Sequence, residues 1–396
     1  MNKYLNFYVG GYILAVISLF FYSYTQVDLA LTLTRMSFVL DIVRGMQQVG
    51  FYHRPLSTLI YIIVLSLLFL GYIFFIKAAQ KGILTKKKLW ILLLIITPIL
   101  TLSYNAFSYD LFNYIFDAKI ITFYGDNPYL QKALDYPGDP MLGFMHWTHR
   151  VYPYGPIWLA FTLPLSFLGF QLFLPTLFLF KIAIAGAFLG MVKLVERISD
   201  YIDENETVTT MVFFALNPLI LIESLVSSHN DLLMLFLALL SLSLLMKKRY
   251  IKSFFSLILS VGVKFATIFV LPLYIMVYLS KKAHTKEYWQ SFFLYATLLM
   301  ALAAVAATIR SNFQPWYLLY PLAYAVFLQK NKYSLSGIFI TTIMGLLNYI
   351  PFLYFGGFDE PVPSILLYIN ILCITITGFV WGKIALSEKH HKKFFK

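Results

Sequence analysis

The sequence predicts an all-α polytopic membrane protein of about 11–13 transmembrane or re-entrant helices, a single integral-membrane domain over residues 1–396. Three observations carry that prediction. The 396 residues are 60% hydrophobic and only 12% charged, whereas soluble domains are about 25% charged. Mean hydropathy is +0.75. Apolar runs recur at the ~20-residue length of a bilayer crossing, with short basic clusters between them.

The net charge of +13 does not point to nucleic acid, because the basic residues lie in those clusters, the pattern of cytoplasmic loops. Lys77 to Lys88, Lys247 to Lys252, Lys281 to Lys286, Lys330 to Lys332 and Lys389 to Lys396 are therefore read as cytoplasmic. The lone cysteine, Cys373, lies in an apolar run and offers neither a disulfide nor a cysteine metal site.

These anchors set the order of the spans. The run from Tyr8 to Tyr24 has no small-residue cleavage site after it and reads as a first span with the N-terminus inside. Leu59 to Ile76 then runs inward and Leu89 to Tyr104 outward, which leaves Asn105 to Tyr154 as an extracytoplasmic segment. Ile157 to Gly169 reads as a partial helix and Leu172 to Val192 as the span that follows it. Val208 to Leu225 goes out and Leu232 to Met246 returns, so Ser227 to Asp231 turns on the same outer side. Residues 253–280 have basic clusters at both ends and too few residues for two crossings; a re-entrant hairpin breaking near Gly262 to Lys264 solves this. Phe292 to Thr308, Trp316 to Leu328, Leu335 to Phe355 and Ile365 to Trp381 complete the alternation. No internal repeat is evident between the halves, which argues against a repeat-built transporter.

The outer segment concentrates the chemistry. Residues 105–154 hold Asp110, Asp117, Asp126, Asp135, Asp139, His146, His149 and Arg150 among proline, glycine and aromatic residues. A connection of about fifty residues is uncommon and usually functional. At 100° per residue Asp110, Asn113, Tyr114 and Asp117 share one helix face, opposite Leu111, Phe112, Ile115 and Phe116. Two readings follow: acids turned toward a wet cavity, or the solvated face of an interfacial helix. The aromatic residues serve equally as an interfacial belt or as platforms for sugar rings and prenyl chains. Asn230 and Asp231 suit the N-cap of the helix from Leu232. Lys181 and Lys264 are intramembrane charges, each read either as snorkelling or as part of a site. His390 and His391, in the basic tail, are read as solvated or near anionic lipid head groups.

Tyr109-Asp110 with Tyr114 and Asp117, Asn127-Pro128-Tyr129, Pro137-Gly138-Asp139-Pro140 and Tyr152-Pro153-Tyr154-Gly155-Pro156 follow one another in order. This succession resembles the first outer loop of the GT-C glycosyltransferases, specifically polyprenyl-phosphate-mannose-dependent mannosyltransferases (glycosyltransferase family 87) and related hexosyltransferases. Leu216-Asn217-Pro218-Leu219 with Glu223 and His229-Asn230-Asp231 is similar to that family's "NPL…E…GHND" signature, and Lys264, Leu271-Pro272 and Gln314-Pro315-Trp316-Tyr317 look like its later landmarks. The chain departs from the pattern at Ser228, where glycine is usual, and at Phe116-Asp117-Ala118, where Trp-Asp-Gly is usual.

The resemblance implies transfer of a hexose, mannose first, from a polyprenyl-phosphate donor to an extracytoplasmic glycan or lipid hydroxyl, with inversion. Such transfer needs a general base, and Asp110 resembles the family's base position. It also needs hydrogen-bonding or cationic support for the leaving phosphate, for which His149, Arg150, His229, Lys264 and Arg310 are candidates. Asp117, Asn127, Tyr129, Tyr152, Tyr154, Glu223, Asn230, Asp231, Trp316 and Tyr317 complete the expected substrate contacts. No cofactor is required; a divalent metal is the less favoured route, since Asp110 and Asp117 stand ~10 Å apart along a helix. The expected partners are the lipid-linked donor, the acceptor and membrane lipids, with the protein in the cell membrane. Competing expectations are another GT-C transfer such as aminoarabinose to a lipid, a transporter or flippase of lipid-linked glycans, and a polymerase or ligase of envelope glycan.

Overall fold

The computed structural model describes residues 4–280 and 285–394. Every regular element among them is a helix, and the single β pairing is an isolated bridge between Lys132 and Val151. The chain runs through α1 (Leu5–Ser23), α2 (Ser37–Gln47), α3 (Arg54–Gln80), α4 (Lys86–Thr101), α5 (Asp110–Thr122) and α6 (Pro156–Leu168). Then come α7 (Phe173–Asp203), α8 (Thr207–Ala215), α9 (Pro218–Leu221), α10 (Asp231–Met246), α11 (Tyr250–Val263) and α12 (Leu271–Leu279). The last are α13 (Lys286–Ser311), α14 (Leu319–Ala325), α15 (Lys332–Leu347), α16 (Ile350–Phe355) and α17 (Val362–Phe394).

Six helical stretches are long and apolar enough to cross a membrane: Leu5–Gln26, Arg54–Gln80, Phe173–Ala215, Lys286–Ser311, Lys332–Phe355 and Val362–Glu388. The protein is an all-α polytopic membrane protein. Of the runs read as spans, Pro315–Leu328 falls short of full length and Pro218–Val226 meets α10 at 114°; α6, read as a partial helix, and α11 with residues 265–279, read as a re-entrant hairpin, are short apolar helices. The stretch Phe173–Ala215 is itself a reversal. Phe188 and Phe214 have ring centroids 6.3 Å apart, whereas a straight helix would separate them by ~39 Å. Helix α7 also continues well past Val192, to Asp203.

One end of the bundle is tied by ion pairs. Lys86 and the Thr207 hydroxyl both reach Asp200, Lys286 pairs with Asp203, and Lys330 lies 2.9 Å from Glu206. This end holds the described basic clusters; residues 281–284 and 395–396, and the side chains of His390 and His391, lie outside the described residues.

Breaks in the helices are made good by side chains. Pro218 has no N–H to continue the ladder of α8, and the Asn217 Oδ1 accepts from the Leu219 and Ile220 N–H groups to start α9. Two buried tyrosines satisfy carbonyls at the break, Tyr72 donating to Phe213 O (3.1 Å) and Tyr12 to Leu216 O (3.4 Å). Polar backbone inside a membrane protein persists only when paired in this way. The Asn-Pro motif is thus a built kink.

A ladder of hydroxyls fixes the register of α10 against α11. Ser253 exchanges hydrogen bonds with Ser241, Ser256 donates to Leu237 O and Ser260 to Met234 O. Small polar residues let two helices approach closely without a hydrophobic driving force between them. The next step of the ladder, toward the other end of the bundle, is Lys264 against Asp231.

Candidate active site

Helix α5 does not present a solvated face of acids. Leu111, Phe112, Tyr114, Ile115, Phe116 and Ala118 are all nearly or fully buried, and Asp110 and Asp117 are 8% and 9% exposed. A face that reads as polar in the sequence is packed against other helices. Tyr114 donates to the Asn230 Oδ1 (3.2 Å), and its ring stands edge-on to Tyr154 and Trp158.

Asp110 opens α5, its N–H held by the Ser108 hydroxyl. Its Oδ2 is 3.7 Å from the Nδ1 of His229, whose Nε2 is 3.3 Å from the Glu223 Oε2. Neither contact has hydrogen-bond geometry, so both nitrogens of a fully buried imidazole lack a partner. The Tyr349 hydroxyl donates to the other oxygen of Glu223 (2.5 Å), and Trp316 lies flat on His229 at 4.0 Å. Each element has a local cause. Residues Ile222–Val226 form a π turn, an irregularity frequent at functional sites, and it brings Glu223 and His229 to one side, with the His229 N–H on Glu223 O. Ser228 follows in the left-handed region, φ 56°, which explains why glycine is the commoner residue there.

Asn230 and Asp231 do not cap α10 with their side chains. Both are recruited across the interior instead. Asn230 takes the Tyr114 hydroxyl, and Asp231 accepts from Tyr320 (2.6 Å) and from Lys264 at 2.8 and 3.0 Å. The chain is extended at Lys264, and the Gly155 N–H donates to Val263 O beside it. A Cβ on Gly155 would meet Gly262 O at 2.1 Å, so the Tyr-Gly-Pro motif is a backbone-to-backbone contact that only glycine allows. Lys264 lies 6.0 Å from the Tyr154 ring and 5.4 Å from that of Tyr317. Its side chain keeps 20% exposure and that of Asp110 keeps 12%, while His229, Glu223 and Asp231 are sealed. Asp110 and Lys264 are the charges of this cluster that keep some exposure.

Lys181 is accounted for structurally. Its ammonium donates to Leu225 O and Val226 O at 3.1 and 2.7 Å, closing the carbonyls the π turn leaves open.

Around the outer loop the residues separate by environment. Tyr129, Tyr152, Tyr154 and Tyr114 form a chain of edge-on rings from the surface to the cluster. Asn127 is exposed and makes a local turn through the Tyr129 N–H. His149 and Arg150 are exposed, Arg150 lying 4.4 Å over Trp147. Burial pushes the Asp117 carboxyl up to about 8, with Arg150 opposing and Asp110 reinforcing, so it holds its proton at neutral pH. Burial alone would raise Asp139 too, but Lys119, the Met141 N–H and the Tyr124 hydroxyl hold its carboxyl below the ordinary range. That acid fastens the loop to α5. Among the described residues no three His, Cys, Asp or Glu side chains converge as metal ligands.

The sequence model of the MptA/B family, described as alpha-(1->6)-mannopyranosyltransferase, N-terminal domain, matches residues 13–280. The chain belongs to this family. It is a mannosyl-transferring glycosyltransferase of the membrane. No curated protein and no solved structure matches the chain. The matched region of this mannosyltransferase contains Asp110, Glu223, His229, Asp231 and Lys264, whereas Trp316, Tyr317, Tyr320 and Tyr349 come from the part beyond it. Tyr320 and Tyr349 escape a reading of the sequence because a single tyrosine in an apolar run looks like any interfacial aromatic.

Proposed function

We propose that this mannosyltransferase takes mannose from a polyprenyl-phosphate donor on the extracytoplasmic side and transfers it with inversion to a hydroxyl of a glycan or lipid acceptor. Asp110 is the general base. The observation that carries the reading is the placement of Asp110 and Lys264 as the two partly exposed charges of one otherwise sealed cluster. Transfer needs these two groups at its two ends. The acceptor O–H bond breaks as its proton goes to Asp110, and the new C–O bond forms at the anomeric carbon. The bond from that carbon to the phosphate oxygen breaks on the opposite face, leaving its electron pair on the prenyl phosphate.

Lys264 supplies the cation for that phosphate. Two contacts fix its ammonium on Asp231, and the exposed remainder faces outward between Tyr154 and Tyr317. A fixed charge in a water-poor site stabilises developing negative charge without reorganising. His229 stands between Asp110 and Glu223, 3.7 and 3.3 Å from their carboxylate oxygens. The ring pathway from Tyr129 to Tyr154 offers faces for a sugar or prenyl chain.

The test is transfer from radiolabelled polyprenyl-phosphate mannose in membranes carrying the chain, with donor binding measured separately. Base catalysis contributes roughly 10²–10⁴-fold, so Asp110→Asn is expected to lower transfer by about that factor while donor binding persists. Near-normal transfer by that variant would remove Asp110 as the base.

A further inference from the structure

A second recess has Tyr109 in its wall and none of the residues of the buried cluster. It is a cavity of ≈240 Å³ whose walls include Asp28, Arg54, Tyr109, His146, Phe352 and Phe358. Tyr109 directly precedes Asp110, so the recess reaches the end of α5 that carries the proposed base. Neither its charges nor its rings are used by the chemistry described above.

The charges are unusual in being left apart. Arg54 and Asp28 line the same space, yet among the described residues neither makes an ion pair, and no acceptor takes a guanidinium N–H of Arg54. The guanidinium is nonetheless seated. It rests 5.3 Å from the Phe51 ring, and Gly356, at φ +83°, makes room for it where a Cβ would stand 2.2 Å from its Cζ. Asp28 is held by its Oδ1 on the Ala30 N–H, with its other oxygen free of hydrogen bonds. The walls add flat faces: Tyr109 against His146 at 3.8 Å and Phe352 stacked on Phe358 at 4.7 Å.

A guanidinium and a carboxylate across from one another offer donors to some hydroxyls and an acceptor to others, while aromatic rings take an apolar C–H face. That is the complement of a pyranose ring. The two formal charges cancel. Burial pushes the Tyr109 phenol up to about 12 and lowers His146, so neither adds charge near neutral pH. An anion would gain Arg54 and meet Asp28 in the same space. The volume is below the ~300–1,000 Å³ of sites for drug-sized ligands, which suits a single ring. We propose that the cavity is an acceptor subsite holding a neutral hexose residue next to the sugar whose hydroxyl is mannosylated.

This rests on the reading of Asp110 as the base toward the acceptor, and the experiment separates the two. The full-length chain in membranes is given polyprenyl-phosphate mannose and one of two acceptors, octyl α-mannoside or octyl α-(1→6)-dimannoside. The unmodified chain should prefer the dimannoside by about tenfold in kcat/KM or more, the equivalent of one charged hydrogen bond. In Arg54→Gln and in Asp28→Asn, which keeps an oxygen for the Ala30 N–H, the ratio between the two acceptors should fall toward one. Because both acceptors are measured on one preparation, a lower folded fraction does not move that ratio. Equal use of the two acceptors by the unmodified chain, or a preference that survives both substitutions, overturns the subsite alone. Inhibition by inorganic phosphate that competes with the acceptor and disappears in Arg54→Gln would mark an anion site and overturn the hexose. Transfer to neither acceptor overturns the reading of the reaction, and the subsite with it.

Discussion

Asp110 and Asp117 share one helical face in the sequence and differ in environment once folded. Asp110 opens α5 beside His229, whereas burial raises the Asp117 carboxyl from 3.8 to about 8. Unfolding therefore releases a proton from Asp117 between about pH 4 and pH 8. Stability falls with rising pH through that window, by up to about 1.4 kcal/mol per unit, and levels off above it. Asp117→Asn mimics the neutral form. It is expected to keep most of the transfer activity and to flatten the pH dependence of Tm in detergent between pH 5 and 8. A variant that abolishes transfer while Asp110→Asn does not would show the two acids to be reversed. Sequence pattern placed both acids on one face, but the burial that raises the Asp117 carboxyl is a property of the packing around α5.

At the scale of elements, the order of motifs made much of the site legible: Asp110 from the outer loop, Glu223 to Asp231 from the turn before α10, Lys264 from the break after α11. What the motifs did not disclose was their use. Asn217 caps a kinked half-helix, Ser228 turns the chain, and Asn230 and Asp231 reach across the interior rather than along their own helix. Arg54 and Asp28 escaped notice because they belong to no motif and meet only at a cavity. The contact between Gly155 and the α11 break gives a direct test. Gly155→Ala forces a Cβ to within 2.1 Å of a backbone oxygen, and the loop and hairpin must part. Overpacking of this kind costs about 1–3 kcal/mol. Transfer should fall at least tenfold with lower thermal stability, and unchanged activity and Tm would mean that the loop and hairpin are not coupled there.

Across the whole molecule the charges sort to two ends, one with lysine-rich turns tied to Asp200, Asp203 and Glu206, the other with the cluster around Asp110. The proposed reaction puts the first end on the cytoplasmic side, as its excess of lysine and arginine favours. Cysteines introduced at exposed positions between Asp126 and Asp139 should then react with an impermeant maleimide from outside, and cysteines between Lys81 and Lys86 should not. The opposite labelling pattern would turn the molecule over and place the transfer on the wrong side for the proposed donor.

Glu223 and Asp231 draw on hydroxyls encoded far downstream. Tyr320 is 89 residues beyond Asp231, and Tyr349 is 126 residues beyond Glu223. At roughly 5–20 residues per second of synthesis, the ribosome needs about 6–25 s after making Glu223 to produce its tyrosine partner. Two carboxylates therefore enter the nascent bundle before their final neighbours exist. Lys264 reaches Asp231 sooner, being only 33 residues away, and the His229 imidazole beside Glu223 is made within six residues of it. Late helices thus complete the hydrogen bonding of a cluster whose acids were laid down in the first two thirds of translation.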